Sequence, residues 1–223
     1  MNRALIVFAK EPVNGTVKTR LKGCFAMDDL TLLYKAFVKD MLAVAHAVKN
    51  TRKILAFASE GTPQYLKSVG TGFEMIEQGG ATLGDRMHNA FVYAHKKNSK
   101  QTVIIGTDSP TLPTRLIEKA FSALRRKDVV IGPSTDGGYY LIGMKEPRKG
   151  IFKGVRWSSA SVLKKTLDNA GSLGMTTAIL DEWYDVDDSL SLKRLLEDLS
   201  DPKNAGNAKH TRQALKKYPC SVR

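Results

Sequence analysis

Seven short apolar runs alternate along this chain with segments of helical periodicity, and this alternation is the feature that most limits its fold. Most of the runs do not alternate apolar with polar residues, as strands with one solvent-exposed face do. This favours strands that are buried on both faces. The segments between them repeat apolar residues at i+3 and i+4, as amphipathic helices do. The pattern predicts an α/β fold built in layers around a largely parallel sheet. The predicted strands are residues 4–9, 53–58, 73–76, 102–106, 128–133, 139–144 and 176–180, and the predicted helices cover residues 30–45, 83–94, 113–126, 159–170 and 189–199.

The length of 223 residues suits one substantial core, and no linker or internal repeat divides the chain. We expect a single domain over residues 1–199, followed by a basic tail, residues 200–223, with one short helix at 208–217. No apolar run approaches the roughly 20 residues of a membrane span, and the apolar stretch after Arg3 is too short for a signal peptide. A cytoplasmic protein without a membrane span is therefore expected.

The net charge of +13 and the pI near 9.7 raise the question of nucleic-acid binding. A substantial share of the excess lies in the tail, where six Lys and Arg residues face one Asp. The other positive residues are mixed with acids, and no helix-turn-helix, zinc knuckle or RNP-like aromatic stretch is present in the sequence. The composition therefore favours a small phosphorylated ligand over nucleic acid.

In sheets of this kind ligands bind beyond the carboxyl ends of the strands, so the loops after strands are the first candidates for a site. The first such loop, "FAKEPVNGTVKTRL", residues 8–21, contains Lys10, Lys18 and Arg20. It lacks the glycine spacing of both a Walker A loop and a dinucleotide-binding turn. The loop could bring three cations over a diphosphate, with Arg20 offering bidentate geometry. The alternative is an ordinary solvated surface loop.

Carboxylates in two other loops suit a divalent cation. Asp108 follows the apolar strand in "TVIIGTDSPTLP", and a carboxylate at such a strand end needs a partner, commonly a cation. In "WYDVDDSLSLKRL" Asp188 is a natural helix N-cap, which leaves Asp185 or Asp187 available as a second oxygen ligand. Alternatively, Asp108 is a simple cap or turn residue.

The ordered set "FAKEPVNGTVKTRL", "TLGDRMHNAF", "GTDSP", "VIGPSTDGGYYLIGM", "WSSASVL" and "YDVDDSLSLKRL" resembles the nucleotide-diphospho-sugar transferase superfamily of GT-A fold. Within it, the motifs are most similar to a bacterial and archaeal group of glycosyltransferase-like proteins. This group is related to the guanylyltransferases that act on phospholactate or phosphoenolpyruvate and to the molybdenum-cofactor guanylyltransferases. The resemblance covers residues 3–199 and leaves the tail outside. It implies a three-layer α/β/α fold with a mainly parallel central sheet.

The resemblance also implies roles for individual residues. Donor nucleotide contacts are implied for Ala9, Lys10, Gly15, Lys18, Arg20, Gly84, Asp85 and Asp108. A Mg²⁺ or Mn²⁺ cofactor is implied on Asp108 and Asp187, and the acceptor side is implied at Gly137, Gly138 and Trp157. Lys18, Arg20, Asp108 and Asp136 are the predicted catalytic residues, with Asp136 as a base for the acceptor. The alternatives from the residues alone are a hairpin turn at Asp136–Gly137 and a core position for Trp157.

Two departures from the resemblance bear on the donor. "TDSP" offers a single carboxylate, where GT-A glycosyltransferases commonly present an Asp-x-Asp pair, and the first loop has one glycine, where the nucleotidyltransferases carry several. The sequence therefore predicts a metal-dependent transferase with a nucleotide-activated donor and a small-molecule acceptor. Transfer of a sugar from a nucleotide-diphospho-sugar is the first hypothesis. The alternatives are nucleotidyl transfer from a nucleoside triphosphate with release of pyrophosphate, and a non-catalytic nucleotide-binding protein. The sequence makes no prediction of oligomeric state.

Overall fold

The computed structural model describes residues 2–201 and 208–218. Its elements alternate along the chain as the apolar pattern predicts. The strands are β1 (Arg3–Lys10), β2 (Arg52–Ala58), β3 (Glu74–Glu77), β4 (Gln101–Ile105), β5 (Val129–Pro133), β6 (Tyr139–Met144) and β7 (Thr177–Ile179). The helices are α1 (Met27–Ala47), α2 (Gln64–Val69), α3 (Leu83–Lys96), α4 (Thr114–Ala123), α5 (Val162–Ser172), α6 (Ser189–Ser200) and α7 (Lys209–Lys217), with short 3₁₀ turns at Thr19–Leu21 and Lys149–Phe152.

The seven strands form one mixed sheet in the order β3-β2-β1-β4-β6-β5-β7. Strand β6 runs antiparallel to both of its neighbours, β4 and β5, and the other neighbouring pairs are parallel. Gly137, in the turn between β5 and β6, has a φ of +85°, a conformation that favours glycine. The predicted α/β fold with a mainly parallel central sheet is confirmed, including the antiparallel hairpin that the Asp-Gly pair indicated.

The strands bury both faces, which is why their sequences read as continuous apolar runs. Leu5 and Val7 of β1 pack into a core with α1 and α4, while Ala4 and Ile6 pack into a second core with α3 and α5. A third core lies between the outer side of α1 and the two last helices, α6 and α7. The sheet and the helices on its two faces therefore form three layers, with additional helices packed outside α1.

The helix boundaries differ from the prediction by up to three residues, and one helix was not predicted. Helix α5 begins at Val162, three residues later than expected, because Ser158 adopts a left-handed φ of +63° and the chain continues in turns. Helix α2 was not predicted at all, since it is short and Leu66 is its one buried residue. Its first turn depends on the carboxylate of Glu11, which accepts the backbone N–H groups of Tyr65 (2.8 Å) and Leu66 (3.1 Å).

Helix α7, within the predicted basic tail, packs against α1. The buried carboxylate of Asp40 accepts the backbone N–H groups of His210 (3.0 Å) and Thr211 (2.7 Å), at the start of α7. These are among the N–H groups that have no partner inside a helix. The domain boundary at residue 199 stays a prediction, and residues 202–207 and 219–223 of the tail lie outside the described residues. None of the helices in the described ranges is both long and apolar enough to cross a membrane.

Candidate functional site

The candidate site lies at the carboxyl ends of β1, β4 and β5, where their loops meet an extended segment, residues 183–187. Backbone hydrogen bonds hold this segment in place: the N–H of Trp183 donates to the carbonyl of Pro133 (3.0 Å), and the N–H of Val186 donates to the carbonyl of Asp108 (2.8 Å). The segment thereby continues the sheet and reaches the loop after β4. Loops that are far apart in sequence meet here.

The extended backbone of this segment determines which side chains face the site. Tyr184 and Val186 are fully buried in the third core, whereas Asp185 and Asp187 line the open side. Successive side chains of an extended chain point to opposite faces, so the two carboxylates share one face. The alternation of apolar and acidic residues in "YDVD" was a signal that both carboxylates belong to the site.

Lys18 lies at the centre of the carboxylates. Its Nζ contacts a carboxylate oxygen of Asp108 and donates to Asp187 Oδ1 (2.9 Å) and to the carbonyl of Val186 (2.9 Å). The Lys18 side chain is 3% exposed, while those of Asp108 and Asp187 are 42% and 44% exposed. Burial alone would lower the pKa of Lys18, but the two carboxylates outweigh it, and the pKa lies above its usual value. The lysine is therefore charged and tied to the two predicted metal ligands.

Asp185 is the third carboxylate of the cluster. It accepts hydrogen bonds from the hydroxyls of Ser109 and Ser134, both buried, and the Ser134 bond measures 3.2 Å. Burial, reinforced by the negative charge of Asp108, raises the pKa of the Asp185 carboxyl to about 6. Its two serine partners connect the loop after β4 to the end of β5. Through Ser109, Asp185 links the loop after β4, which carries Asp108, to the extended segment that carries Asp187.

Two adjoining cavities open over this cluster. One, of about 490 Å³, is lined by Lys18, Arg20, Asp108, Leu83 and Trp157 among others. The second, of about 690 Å³, lies against α6. Both cavities are lined by the same four charged residues, which are Arg20, Asp136, Asp185 and Asp187. Because these four residues border both cavities, we group the two under one name, the carboxylate cleft.

Seven of the residues predicted for the site line the carboxylate cleft. They come from five separate parts of the chain and comprise Lys18, Arg20, Asp108, Asp136, Gly138, Trp157 and Asp187. Asp136 is exposed, and its Oδ1 accepts the N–H of Gly138 (2.9 Å), which fixes the hairpin turn. Close packing requires a glycine at position 137, because a Cβ there would clash with the carbonyl oxygen of Ala160.

Other predicted residues lie apart from this cluster. The Nζ of Lys10 donates to the carbonyl of Thr16 (3.3 Å), and Ala9 is buried in β1. Gly15 forms a turn with a φ of +77°, packed against Met27. Lys10 lines neither cavity of the carboxylate cleft, whereas Lys18 lines one and Arg20 lines both, so the three cations of the loop do not share one cavity.

Gly84 and Asp85 have local structural roles at the start of α3. A Cβ on Gly84 would lie 2.7 Å from Phe152 and 2.9 Å from Trp157, so the glycine permits close packing. Asp85 forms a capping box with Thr82 and an ion pair with Lys149 (3.0 Å). Both residues line a separate cavity of about 480 Å³, to which Trp157 also contributes. Their predicted nucleoside contacts stay predictions.

The first loop and the loop after β4 are braced by Tyr34, which the sequence did not single out. Its hydroxyl oxygen accepts the backbone N–H of Lys10 (3.0 Å) and lies 2.9 Å from the hydroxyl of Thr107. Burial, followed by the negative charge of Asp108, raises the pKa of Tyr34 to about 12. Tyr34 therefore stays neutral, and its hydroxyl connects the first loop to the loop after β4.

Solved structures with the same fold include several transferases. A candidate nucleotide-diphospho-sugar transferase from Desulfovibrio desulfuricans G20 is 29% identical, with a TM-score of 0.89 over 97% of this chain and 94% of that one. A cytidylyltransferase from Leptospira borgpetersenii is 13% identical, with a TM-score of 0.57 over the same shares of the two chains. The 4-diphosphocytidyl-2C-methyl-D-erythritol synthase from Anaerococcus prevotii is 11% identical, with a TM-score of 0.55 over 87% and 97%.

The first similarity confirms the resemblance to nucleotide-diphospho-sugar transferases. It supports a transferase that uses a nucleotide, without distinguishing the group that is transferred. The other two show the fold. No curated protein matches the sequence. A family model described as "Uncharacterized protein conserved in bacteria (DUF2064)" matches residues 41–159, just over half of the chain. The chain therefore belongs to the DUF2064 family and has the fold of the nucleotide-diphospho-sugar transferases.

Proposed function

We propose that this protein is a glycosyltransferase that moves a sugar from a nucleotide-diphospho-sugar to a small-molecule acceptor, with a Mg²⁺ or Mn²⁺ ion at Asp108 and Asp187. One observation carries the proposal: a single cavity is lined by residues from separate segments of the chain, namely Arg20, Asp108, Asp136, Trp157 and Asp187. The cleft lies at the carboxyl ends of the strands, where α/β sheets bind their ligands.

The donor atoms of the cleft fit a hard divalent cation. Asp108 and Asp187 both contact one ammonium group and both remain partly exposed to the cavity. Mg²⁺ commonly takes one or two protein carboxylates and completes its shell with substrate phosphates and water. A bound ion there would neutralise charge on the diphosphate.

The remaining groups suit the transfer step. The acceptor hydroxyl oxygen forms a bond to the anomeric carbon of the sugar, and its proton passes to the carboxylate of Asp136. The bond from the anomeric carbon to the diphosphate oxygen breaks, and its electron pair leaves with the nucleoside diphosphate. Arg20, which is exposed to both cavities, is placed to stabilise the charge on the leaving group.

The charge of the second cavity favours sugar transfer over nucleotidyl transfer. Nucleotidyl transfer to a phosphorylated acceptor would bring a second anionic group into the cleft. The side chains that line this cavity include more carboxylates than cations: Asp136, Asp185, Asp187, Asp188, Glu197 and Asp198 against Arg20, Lys193 and Arg194. A phosphorylated acceptor is repelled by this surface, whereas an acceptor that presents hydroxyl groups can form hydrogen bonds to it.

A thermal-shift panel tests the proposal. Nucleoside diphosphates, nucleotide-sugars and nucleoside triphosphates are added with Mg²⁺, Mn²⁺ or a chelator to the wild type, to Asp108→Asn and to Asp168→Asn. Asp168 is a matched control on the outer surface, where it pairs with Lys164. A ligand at 100 times its dissociation constant stabilises the fold by about 2.7 kcal/mol, which is measurable.

We expect metal-dependent stabilisation by a nucleotide-sugar in the wild type and in Asp168→Asn, and its loss in Asp108→Asn. The best ligand is then assayed for release of nucleoside diphosphate. Release of pyrophosphate from a nucleoside triphosphate would instead establish nucleotidyl transfer. Tight nucleotide binding without turnover would indicate a non-catalytic nucleotide-binding protein, and no stabilisation of folded protein by any nucleotide would refute the donor site.

A further inference from the structure

The ammonium group of Lys18 is fully engaged within the protein. It has three N–H donors and three oxygen partners, namely the carboxylates of Asp108 and Asp187 and the carbonyl of Val186. The side chain is almost completely buried. With every donor in use, the lysine cannot also bind a donor phosphate, as the sequence prediction required, unless it first leaves these partners.

The backbone holds Lys18 at this position under strain. Its φ of +51° and ψ of +35° lie in the left-handed region, which is uncommon and strained for a residue with a side chain. The centroid of the Phe37 ring lies 5.4 Å from Nζ, within the range of a cation–π interaction. A strained conformation persists where the neighbouring contacts over-determine it, and such residues cluster at functional sites.

We propose that Lys18 is an internal counter-ion of the metal site, which a divalent cation must displace from Asp108 and Asp187 in order to bind. The inference rests on the proposed function for its choice of these two carboxylates as ligands. The ammonium occupies an oxygen of each carboxylate, and its positive charge opposes that of the incoming cation. The cation and the lysine therefore compete for the same two side chains.

Displacement of Lys18 has a consequence for the donor. Lys18 lines the same cavity as Arg20, so an ammonium group released from the carboxylates is already beside the space proposed for the diphosphate. Metal binding thus provides a free cation for the phosphates, and phosphates that hold this cation favour metal binding in return, because such coupling is reciprocal. Lys18 thereby couples binding of the metal ion to binding of the donor phosphates.

The competition is tested by titrating the protein with Mn²⁺ and measuring the free ion by electron paramagnetic resonance, without nucleotide. Lys18→Met keeps the length of the side chain and removes the charge. Lys22→Met is the matched control, since Lys22 is an exposed lysine of the same loop. We expect Lys18→Met to bind Mn²⁺ about tenfold or more tightly than the wild type, because a neighbouring positive charge is removed, and Lys22→Met to bind as the wild type does.

Equal or weaker binding of Mn²⁺ by Lys18→Met than by the wild type would overturn the proposal, and so would the absence of binding in both. Binding by the variant alone would support it, since the lysine would then exclude the ion altogether. Asp108→Asn separates this result from the choice of ligands: if it binds Mn²⁺ as tightly as the wild type, the metal site of the proposed function is wrong. Nucleotide binding is measured separately by thermal shift.

A second measurement needs no substitution and therefore does not depend on the variant's folding. The wild type is treated briefly with an acetylating reagent, and the modification of each lysine is followed by mass spectrometry. Without metal, Lys18 should react much more slowly than Lys22. Saturating Mg²⁺ should accelerate acetylation of Lys18 several-fold and leave Lys22 unchanged. Unchanged or slower acetylation of Lys18 at Mg²⁺ concentrations that saturate the site would show that the ion does not displace it.

Discussion

Two regions of this molecule, the helix caps and the carboxylate cleft, give their carboxylates different kinds of partner. At the caps, Asp40 and Glu11 accept backbone N–H groups at the first turns of α7 and α2. In the cleft, Asp108 and Asp187 pair with the Lys18 side chain and border open space. The carboxylates at the caps therefore have backbone partners, whereas the carboxylates in the cleft have a side-chain partner.

The difference shows how structural and chemical roles can be separated for one residue type. A carboxylate that is satisfied by backbone amides exchanges no partner unless the helix unfolds, so its removal should affect stability. A carboxylate that shares a cation and faces a cavity can exchange that partner for a ligand, so its removal should affect binding and transfer. Substitutions in the two regions should therefore have opposite profiles.

The largest effect is expected for Asp108→Asn. The transfer rate constant kcat/KM, measured with the donor found in the thermal-shift panel, should fall at least 100-fold, equivalent to about 2.7 kcal/mol of transition-state stabilisation. The melting temperature without ligand should change by only about 2 °C, because Asp187 still pairs with Lys18. A variant within threefold of wild-type activity would place Asp108 with the structural carboxylates.

Asp40→Ala should show the opposite profile. The substitution leaves two N–H groups at the start of α7 without their acceptor, which should lower the free energy of unfolding by about 2–3 kcal/mol. For a chain of this size the melting temperature should fall by roughly 5–10 °C. Urea denaturation measures the loss, and Mn²⁺ affinity at low temperature should match that of the wild type. A loss of Mn²⁺ affinity in folded protein would remove the distinction between the two regions.

Glu11→Ala should have a smaller effect on stability, about 1–2 kcal/mol, since it removes the cap of one short helix. Hydrogen exchange should accelerate at the backbone amides of Tyr65 and Leu66 and in the rest of α2, while α1 keeps its protection. Glu11→Gln, which retains one acceptor oxygen, should fall between the wild type and Glu11→Ala. Unchanged exchange in α2 would show that the helix does not need this carboxylate.

The smallest effect is expected for Asp188, which belongs to both regions. It caps α6 in a reciprocal capping box with Ser191 and also lines the cleft. Asp188→Ala should cost about 1 kcal/mol of stability, whereas Asp188→Ser should cost less than about 0.5 kcal/mol, because serine is also a good N-cap. If both variants lose the same stability in urea denaturation, the charge of Asp188 matters more than its cap.

The sequence predicted the sheet well because each strand carries its own signal. All seven strands lie within one or two residues of the predicted ranges, since burial on both faces makes each strand a continuous apolar run. Helix α2 carries no comparable signal: it has one buried residue and depends on Glu11, more than 50 positions earlier. Local pattern cannot reveal an element whose first turn is stabilised by a distant side chain.

The site was predictable to the level of its loops. The rule that ligands bind at the carboxyl ends of strands selected the loops of Lys18, Asp108 and Asp136, and the structure places all three in one cleft. The partner of Lys18 was not predictable, because the ion pairs join residues 90 and 169 positions apart. The serine contacts of Asp185 also join distant residues, 76 and 51 positions apart.

The extended segment at residues 183–187 has a consequence for the synthesis of the protein. It supplies two cleft carboxylates, Asp185 and Asp187, and the carbonyl that accepts a hydrogen bond from Lys18, yet it lies more than 160 positions after the loop of Lys18. A nascent chain emerges amino terminus first, so the first strands can pair long before this segment leaves the ribosome. Until then Lys18 lacks two of its three partners, and an incomplete translation product cannot assemble the carboxylate cleft.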